Sequence, residues 1–528
     1  MRNGSTADSA LDVLVVGGGI NGAGIARDLA GRGLSVLLCE KDDLAAHTSS
    51  SSTKLIHGGL RYLEYYEFAL VRKSLAEREV LLKSAPHIMW PLRFVMPHDP
   101  HMRPVWMVRA GLFLYDHLAR REVLPGSRTV DLRRHAAGAP LKRGFRKGFV
   151  YSDGWVDDAR LVVLCAIDAA QHGATVLTGW ACTDAERGAK TWRATLRSAA
   201  GESRSVTARA LVNAAGPWAA QFLTECAHTP PDKQLRLVKG SHIVVGKLFD
   251  HDHAYIFQNP DQRIIFAIPY EGDFTLIGTT DVEHYGAIGA AHIDAAEVSY
   301  LCEQASRYFE RPVRPSDVVW SYCGVRPLLD DESGDPSAVT RDYALELDAG
   351  AQAAPLLSVW GGKITTFRKL GEEAADLLAQ PLGATRGAWT QGAHLPGGDL
   401  SGWIGAAKRP DTDFARFVQA LAQRHPELPA ALCWRLARCY GSRIEVVLGT
   451  DGLGAQVAPG LHEAELNYLH ANEWARSADD VLWRRTKLGL HLNEAERAAV
   501  AGWCGEHWGD APSAAATEAA GAREQAWS

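Results

Sequence analysis

The chain has 528 residues and a formal net charge of −6 at pH 7, and 46% of its residues are hydrophobic. This length predicts two or three domains rather than a single hydrophobic core, and the modest charge gives no reason to expect a nucleic-acid partner. Nine cysteines without a C-x-x-C pair argue against a disulfide framework or a zinc ribbon and favour a reducing, cytoplasmic compartment.

The first predicted element is a strand–helix–strand unit. Residues 11–16, LDVLVV, have the apolar pattern of a strand buried on both faces. They lead into G-x-G-x-x-G at Gly17, Gly19 and Gly22, then into a helical stripe and a second strand that ends at Glu40. In such a unit the backbone approaches a pyrophosphate at the helix N-terminus, and the acid accepts hydrogen bonds from ribose hydroxyls. The complete unit therefore predicts a dinucleotide site.

Residues 47–62, HTSSSSTKLIHGGLRY, follow this acid closely. A serine run this early in the chain has two interpretations, a flexible linker or part of the site. Because the segment starts at the carboxyl end of the second strand, where a dinucleotide lies, we predict the second. It offers hydroxyls for a pyrophosphate and paired glycines that leave space for a planar ring, namely Thr48, Ser49, Ser50, Gly58 and Gly59.

A basic region comes next. Between Arg93 and Lys147 there are twelve Lys or Arg and four Asp or Glu, and residues 103–121, RPVWMVRAGLFLYDHLARR, place apolar side chains between arginines. Two interpretations stay open: a core helix with a solvated basic face, or a surface that attaches to an anionic membrane. No stretch has the roughly 18 unbroken apolar residues of a membrane span, and the first ten residues lack the apolar part of a signal peptide.

A second strand–glycine–helix unit is predicted in residues 208–223. Its strand runs through Val212 to a turn at Ala215 and Gly216, after which Pro217 can begin a helix.

A third such unit spans residues 355–378. Its strand leads into a glycine pair and two threonines that can cap a helix, namely Gly361, Gly362, Thr365 and Thr366. The unit is not a phosphate loop, because Ile364 stands where Ser or Thr is required after the lysine. We expect the positive helix end, with Lys363, to face an electron-rich ring instead.

Between these units the pattern changes to short β-branched and aromatic runs, SHIVVG, AYIFQ, RIIFAIP and FTLIG, which predict an antiparallel sheet. The predicted fold is therefore α/β, with a discontinuous Rossmann-like nucleotide domain, an inserted antiparallel-sheet substrate domain and a C-terminal helical domain. The predicted boundaries are 10–80, 148–230 and 320–384 for the nucleotide domain, 81–147 and 231–319 for the substrate domain, 385–508 for the helical domain, and 509–528 for a disordered, alanine-rich tail.

Several long motifs carry a resemblance to a known family. They include VVGGGINGAGIARDLAGRGLSVLL, SSTKLIHGGLRYLEYYEFALV, YSDGWVDDARL, KGSHIVV, GVRPLLDDES, GGKITTFRKL and DDVLWRRTK. Over most of its length the chain resembles the FAD-dependent, respiratory glycerol-3-phosphate dehydrogenases of aerobic bacteria, flavoproteins with an amino-acid-oxidase-like fold. The resemblance implies oxidation of sn-glycerol 3-phosphate to dihydroxyacetone phosphate, by hydride transfer from C2 to FAD, with the electrons passed to a membrane quinone.

The resemblance also implies roles for individual residues. His242 would take the hydroxyl proton and Arg326 would stabilise the developing alkoxide; the structural alternatives are a core histidine and an arginine that braces a turn. The substrate phosphate would be bound by Arg61, Tyr62, Arg341 and Lys363. FAD would contact Gly17, Gly19, Ile20, Asn21, Gly22, Glu40, Thr48, Ser49, Ser50, Lys54, Leu55, His57, Gly58, Gly59, Ala215, Gly216, Gly361, Gly362, Ile364 and Thr365.

Further expectations concern location and rival functions. The resemblance implies peripheral attachment to the cytoplasmic face of the inner membrane, through an anionic lipid surface, and leaves a homodimer open; no metal site is expected. One rival is an oxidase of the same fold that reduces oxygen, with glycerol 3-phosphate or an amino acid as substrate. Another is a non-catalytic flavin- or RNA-binding protein, against which the lack of a recognisable RNA module argues.

Overall fold

A computed structural model of the chain describes residues 10–99, 103–261, 263–329, 342–350, 352–450 and 452–509. Within these residues the strands are β1 (Leu11–Val16), β2 (Val36–Glu40), β3 (Leu55–Ile56), β4 (Met89–Pro97), β5 (Arg128–Asp131), β6 (Lys147–Val156), β7 (Thr175–Thr178), β8 (Trp180–Arg187), β9 (Trp192–Ser198), β10 (Ser203–Asn213), β11 (Leu235–Gly246), β12 (His253–Gln258), β13 (Ile264–Tyr270), β14 (Phe274–Gly278), β15 (Val282–Glu283), β16 (Val318–Leu329), β17 (Tyr343–Asp348), β18 (Leu356–Gly361), β19 (Gln456–Ala458) and β20 (Leu461–His462). The helices are α1 (Ile20–Gly31), α2 (Phe68–Ser84), α3 (Val105–His117), α4 (Asp158–Gln171), α5 (Ala219–Glu225), α6 (Ala295–Ser306), α7 (Phe367–Leu382), α8 (Ser401–Ile404), α9 (Pro410–Arg424), α10 (Ala430–Tyr440), α11 (Ile444–Leu448), α12 (Glu463–Glu473) and α13 (Glu494–Trp508).

The first sheet contains the dinucleotide unit. Its strand order is β17-β18-β10-β1-β2-β7, and the β8–β9 hairpin pairs with β10. Neighbouring strands from β18 to β7 are parallel. Strand β1 is buried on both faces, because α1, α4 and α7 pack on one side and the hairpin and α5 pack on the other. The predicted strand–helix–strand unit is therefore confirmed.

The second sheet has the order β15-β11-β14-β13-β12-β4-β6-β3, with β16 paired to β11 and β5 to β6. The runs predicted as antiparallel strands are β11 to β14, and they pair antiparallel as expected. Strands β3, β6 and β16 come from stretches that the sequence pattern grouped with the nucleotide domain. Strand β16 runs along β11 and reaches β18 of the first sheet. The domain boundaries therefore stay a prediction, since the two sheets share these connections.

The C-terminal helices α8 to α13 enclose a hydrophobic core of their own, as predicted. The period of DDVLWRRTKLGLHL predicts one helix, but the structure divides the stretch into a π-helical turn, Asp480–Arg485, and a 3-10 turn, Leu488–Leu490. The helix stops between them because Lys487 adopts a positive φ of 60°. Apart from Gly509, the predicted tail lies outside the described residues. Among the residues that the structure describes, no helix combines the length and the hydropathy needed to cross a bilayer.

Candidate functional site

The turn between β1 and α1 has no space for side chains. Gly17 has a φ of +112°, and a Cβ there would lie 2.4 Å from the carbonyl oxygen of Ala214. A Cβ at Gly22 would lie 1.9 Å from the carbonyl oxygen of Gly17. The N-cap of helix α1, Gly19, makes no capping bond, and the Ile20 amide donates to the Ser49 hydroxyl at 2.9 Å; the positive end of the helix dipole at this turn favours an anion. The turn thus fits the pyrophosphate of a dinucleotide.

Glu40 lies beside this turn. One carboxylate oxygen accepts a hydrogen bond from the Gly18 amide at 2.6 Å, and the other accepts from the Asp42 amide at 2.9 Å. Burial raises the pKa of Glu40. Glu40, Asp42 and His47 bring possible metal-ligand atoms within 4.8 Å of one another. Because His47 Nε2 bonds to Asp42 at 2.7 Å, this group is held by its own hydrogen bonds, and the remaining lone pairs of Glu40 suit ribose hydroxyls.

The cavity next to Glu40 has a wall that sequence reasoning missed. Trp180 and Cys182 of β8, together with Trp218 and Phe222 near the start of α5, face the glycine turn across this cavity. The Lys41 ammonium lies 3.8 Å from the centroid of the Trp218 ring. No motif marks Trp180 and Cys182 in the sequence, because the hairpin that carries them lies outside the predicted units, whereas Trp218 and Phe222 belong to the predicted unit at 208–223. Their flat apolar surface suits an adenine ring.

A second cavity continues from the first. Both are lined by Ile20, Thr48, Ser49, Pro327 and Gly362, so together they form one groove along the carboxyl edge of the first sheet. The second cavity extends to the second sheet, which contributes an apolar wall that the sequence did not indicate, namely Phe94, Tyr151, Ile256, Ile264 and Phe266. The groove therefore has the form expected for a dinucleotide with a substrate beyond its ring.

The serine-rich segment is fixed in this groove and is not a linker. The Lys54 ammonium is buried and donates to Asp158 Oδ1 at 2.7 Å and to the Ser50 carbonyl at 3.0 Å. Asp158 Oδ2 accepts from the Ser52 hydroxyl at 2.7 Å. Lys54 therefore acts behind the wall, through the fold of the segment, whereas Thr48 and Ser49 reach the groove.

The glycine pair of the segment is also held from behind. The Gly58 amide donates to the Tyr115 hydroxyl at 2.9 Å, and this hydroxyl donates to Asp153 at 2.8 Å. Arg78 completes the buried network with a 2.6 Å bond to Asp153. A Cβ at Gly58 would lie 2.5 Å from Leu75. Only a glycine lets the chain pass this close to the network.

His242 lies behind the cavity wall. The side chain is fully buried, and its Nε2 is 3.0 Å from the Thr53 hydroxyl, which does line the cavity. The ring stacks on Tyr322 with a centroid separation of 4.8 Å. Burial, with smaller contributions from Arg326 and Lys54, holds the pKa of His242 well below its usual value. A neutral imidazole therefore reaches the cavity only through the hydroxyl of Thr53, a residue that sequence reasoning missed.

Three cationic side chains, those of Arg61, Lys363 and Arg326, line the second cavity. Arg61 and Lys363 line it together with Tyr62, and the Lys363 ammonium lies 4.8 Å from the centroid of the Tyr62 ring. Arg326 also lines the cavity, where it pairs with Asp281 and donates to the Thr279 hydroxyl at 2.9 Å. The predicted phosphate residue Arg341 lies outside the described residues.

The structure sorts the predicted residues into two groups. Those that line the groove are Gly17, Gly19, Ile20, Asn21, Glu40, Thr48, Ser49, Leu55, His57, Gly59, Arg61, Tyr62, Ala215, Gly216, Arg326, Gly361, Gly362, Lys363 and Ile364. Those that lie behind its wall are Gly22, Ser50, Lys54, Gly58, His242 and Thr365. Thr365 accepts from the His57 amide at 3.2 Å. Thr366 stands at the N-cap of α7 without a side-chain capping bond, so the predicted cap is wrong.

Comparison with known proteins agrees with this geometry. Residues 12–368 match the family described as FAD dependent oxidoreductase, and residues 388–505 match the C-terminal domain of alpha-glycerophosphate oxidase. The chain is 53% identical to a glycerol-3-phosphate dehydrogenase of Pseudomonas aeruginosa, over 93% of this chain and 94% of that protein. It is 51% identical to a D-erythritol 1-phosphate dehydrogenase of Brucella abortus, over 93% and 97%.

A solved structure is similar over nearly the whole chain. It is the glycerol-3-phosphate dehydrogenase from Bacillus halodurans complexed with FAD, with a TM-score of 0.76 and 26% sequence identity, covering 99% of this chain and 95% of that one. The predicted fold class and cofactor are therefore confirmed.

We expect Gly22→Ala to abolish retention of the flavin dinucleotide, because its Cβ would lie 1.9 Å from a backbone oxygen and would push α1 off the turn. The ratio of flavin to protein absorbance in the purified protein measures this. Gly502→Ala is the control, since nothing lies within 4 Å of a Cβ at that position. Full flavin content in the Gly22→Ala protein would contradict the placement of the pyrophosphate.

Proposed function

The chain belongs to the family of FAD-dependent glycerol-3-phosphate dehydrogenases, and on this premise we propose that it oxidises sn-glycerol 3-phosphate to dihydroxyacetone phosphate and passes the electrons to a membrane quinone. The observation that carries the proposal is that two cationic side chains, Arg61 and Lys363, line the second cavity of the groove together with Tyr62, and that a third, Arg326, lines it beside Thr53. A phosphate dianion requires such a group, whereas a carboxylate substrate requires fewer cations.

The first step of the proposed reaction is binding of the substrate phosphate. Arg61 can present two parallel N–H donors to phosphate oxygens, and Lys363 adds a point charge from the start of the 3-10 turn before α7. Tyr62 lines the same cavity, with its ring centroid 4.8 Å from the Lys363 ammonium. These contacts leave the C2 hydroxyl of the substrate on the side of the cavity that Thr53 and Arg326 line.

Bound FAD would supply the acceptor for the C2 hydride. The chain itself must remove the hydroxyl proton. We assign this step to Thr53 and His242: the Thr53 hydroxyl accepts the proton and donates its own to His242 Nε2, which lies 3.0 Å away. Burial lowers the pKa of His242 and keeps the imidazole neutral, so that a ring nitrogen has a lone pair for the proton, although the same shift makes the ring a weaker base. Arg326, held by Asp281 and Thr279, stabilises the alkoxide as it forms.

A second substrate is favoured by a specific observation. The Brucella abortus relative, 51% identical to this chain, is a D-erythritol 1-phosphate dehydrogenase. That polyol phosphate also carries a hydroxyl on the carbon next to its phosphate-bearing CH₂, so the same base and cations would serve. Its additional CHOH group would extend toward the second-sheet wall of the cavity, where Thr279 and Asp281 supply polar atoms.

Membrane attachment is proposed through helix α3. Only Leu112 and Tyr115 of this helix are buried, whereas Trp106 is 68% and Phe113 60% exposed. The helix thus packs one face on the core, as the core-helix interpretation expects, and the apolar side chains exposed beyond that face support membrane attachment. Tyr66 of the 3-10 turn that packs beside α3 is 79% exposed.

Together with Met107 and Leu114, these exposed residues form what we call the apolar surface. Its neighbours Arg103 and Arg120 are also exposed. The arginines would bind anionic headgroups while the apolar side chains contact the acyl chains. We propose that this surface holds the protein on the cytoplasmic face of the inner membrane, within reach of a quinone.

Anaerobic mixing with the two polyol phosphates tests the function. We expect glycerol 3-phosphate to bleach the flavin absorbance stoichiometrically, and the ratio of kcat/KM for glycerol 3-phosphate and D-erythritol 1-phosphate to identify the preferred substrate. No bleaching by either compound, with FAD retained, would refute the proposal. Reoxidation that is fast with oxygen and slow with a soluble quinone would make the protein an oxidase.

Replacement of Thr53 tests the proton relay. We expect Thr53→Val and His242→Ala each to slow flavin reduction by about 100-fold or more with little change in substrate binding, and Thr53→Ser to keep most of the rate. Arg61→Ala should instead mainly weaken binding. Stopped-flow reduction at varied substrate concentration separates these effects. A normal rate in Thr53→Val would exclude the relay.

The pH profile gives an independent check on the base. Because the folded-state pKa of His242 is lowered, the imidazole stays deprotonated as pH falls through the ordinary histidine range near 6.5. The rate of flavin reduction should therefore stay level down to that pH and fall only well below it. With substrate held at saturation, so that ionisation of its phosphate does not limit binding, a half-maximal rate near pH 6.5 would contradict His242 as the base.

Substitution on α3 tests the membrane surface. Trp106→Ser with Phe113→Ser should lower binding to vesicles that contain phosphatidylglycerol by roughly tenfold or more, because each side chain contributes about 1.5–3 kcal/mol when buried. Co-sedimentation measures the binding. Val446→Ser, which removes an exposed apolar residue from the C-terminal domain, is the control. Unchanged vesicle binding by the α3 variant would refute this surface.

A further inference from the structure

We propose that the C-terminal helical domain positions the adenosine half of the FAD site through the ion pair between Arg485 and Asp43. The two residues lie 442 positions apart in the chain. The inference rests on the FAD site of the proposed function, but it does not depend on which polyol phosphate is oxidised.

The contact between the two residues is a bidentate ion pair. Arg485 Nη1 donates to Asp43 Oδ2 and Nη2 to Asp43 Oδ1, both at 2.8 Å. The guanidinium is fully buried, and Nη2 also donates to the Glu473 carbonyl at 2.6 Å. Arg484 adds a bond from Nε to Asp43 Oδ2 at 2.6 Å. Two arginines of the π-helical turn thus converge on one carboxylate.

The charges support this arrangement. Burial alone would raise the pKa of Asp43, but Arg485 and Arg484 outweigh burial and lower it. The carboxylate therefore stays ionised inside the interface. A lysine at position 485 would keep the charge but lose the planar pair of donors that fixes both oxygens.

The position of Asp43 connects this pair to the cofactor site. It belongs to the loop 41–47, which follows Glu40, the predicted ribose ligand. In this loop the Asp42 amide donates to Glu40 Oε1 at 2.9 Å, and the Ala45 amide donates to the Gly18 carbonyl at 3.2 Å. Because these bonds connect the loop to Glu40 and to the glycine turn, we expect a displacement of Asp43 to displace both. The residues proposed to bind the substrate are not part of this loop.

The same turn is braced against the rest of the molecule. Trp483 stacks on Trp320 of β16 with a centroid separation of 4.7 Å, and Arg160 of α4 pairs with Glu473 across the interface. The turn that carries Arg485 is thus seated on the second sheet as well as on the loop. These contacts hold the π-helical turn in place, and Arg485 of that turn holds the loop 41–47.

Titration of the FAD-free full-length protein tests the proposal. FAD and, separately, ADP are added to Arg485→Lys, Asp43→Asn and the unchanged protein. We expect both dissociation constants to rise by roughly tenfold or more in each variant, since small displacements of positioning groups can cost up to about 100-fold. With saturating FAD, the KM for the polyol phosphate should stay the same.

The matched control is Arg435→Lys. Arg435 makes an equivalent bidentate pair with Glu465 inside the C-terminal domain, without contact to the loop. If this variant loses FAD as much as Arg485→Lys does, general loss of domain stability explains the effect and the proposal is overturned. Unchanged ADP affinity in Arg485→Lys and Asp43→Asn would overturn it equally. If Arg485→Lys does not fold, Arg484→Lys, whose side chain is 19% exposed, provides the same comparison.

Discussion

The buried ion pair between Lys54 and Asp158 is the constraint on which the rest of the site depends. Both side chains are almost completely excluded from water, so each needs the other: removal of one partner from such a pair typically costs about 3–5 kcal/mol. Asp158 is the first residue of α4 and accepts hydrogen bonds from Ser52 as well, so that the ion pair folds a polar run around the end of a helix. The serine-rich segment, whose composition resembles that of a linker, therefore forms a fixed part of the groove wall.

The same pair influences the chemistry of its neighbours. The Lys54 ammonium lies 5.1 Å from the centroid of the Tyr322 ring, and Tyr322 stacks on His242. Its positive charge is one of the causes that disfavour protonation of His242, after burial and Arg326. A cation that holds the segment in place thus also helps to keep the proposed base neutral. Under the proposed mechanism, Lys54 therefore both holds the segment in place and helps to keep His242 neutral, although it does not line the groove.

Local pattern was enough to predict the parts of the site that one stretch of chain builds. The glycine turn and Glu40 belong to a single strand–helix–strand unit, and their placement followed from its period and spacing. Thr53 could not be ranked above its serine neighbours, because its partner His242 lies 189 residues away. The cavity wall proposed for the adenine ring, at Trp180, could not be predicted, because it depends on the pairing of the β8–β9 hairpin with β10. The break after the π-helical turn at 480–485 was not predictable either, because no local pattern marks Lys487 for its positive φ.

The basic region combines a buried face and an exposed apolar face, and a sequence cannot display which side chains belong to each. Helix α3 turns only Leu112 and Tyr115 inward, and the Tyr115 hydroxyl is the acceptor for the Gly58 amide. The helix that exposes Trp106 and Phe113 is therefore bonded directly to the glycine pair of the flavin groove. Under the proposed membrane attachment, this bond would tie the glycine pair of the groove to the apolar surface. One helix would then face the lipid on one side and support the groove on the other, as the proposed transfer of electrons to a membrane quinone would require.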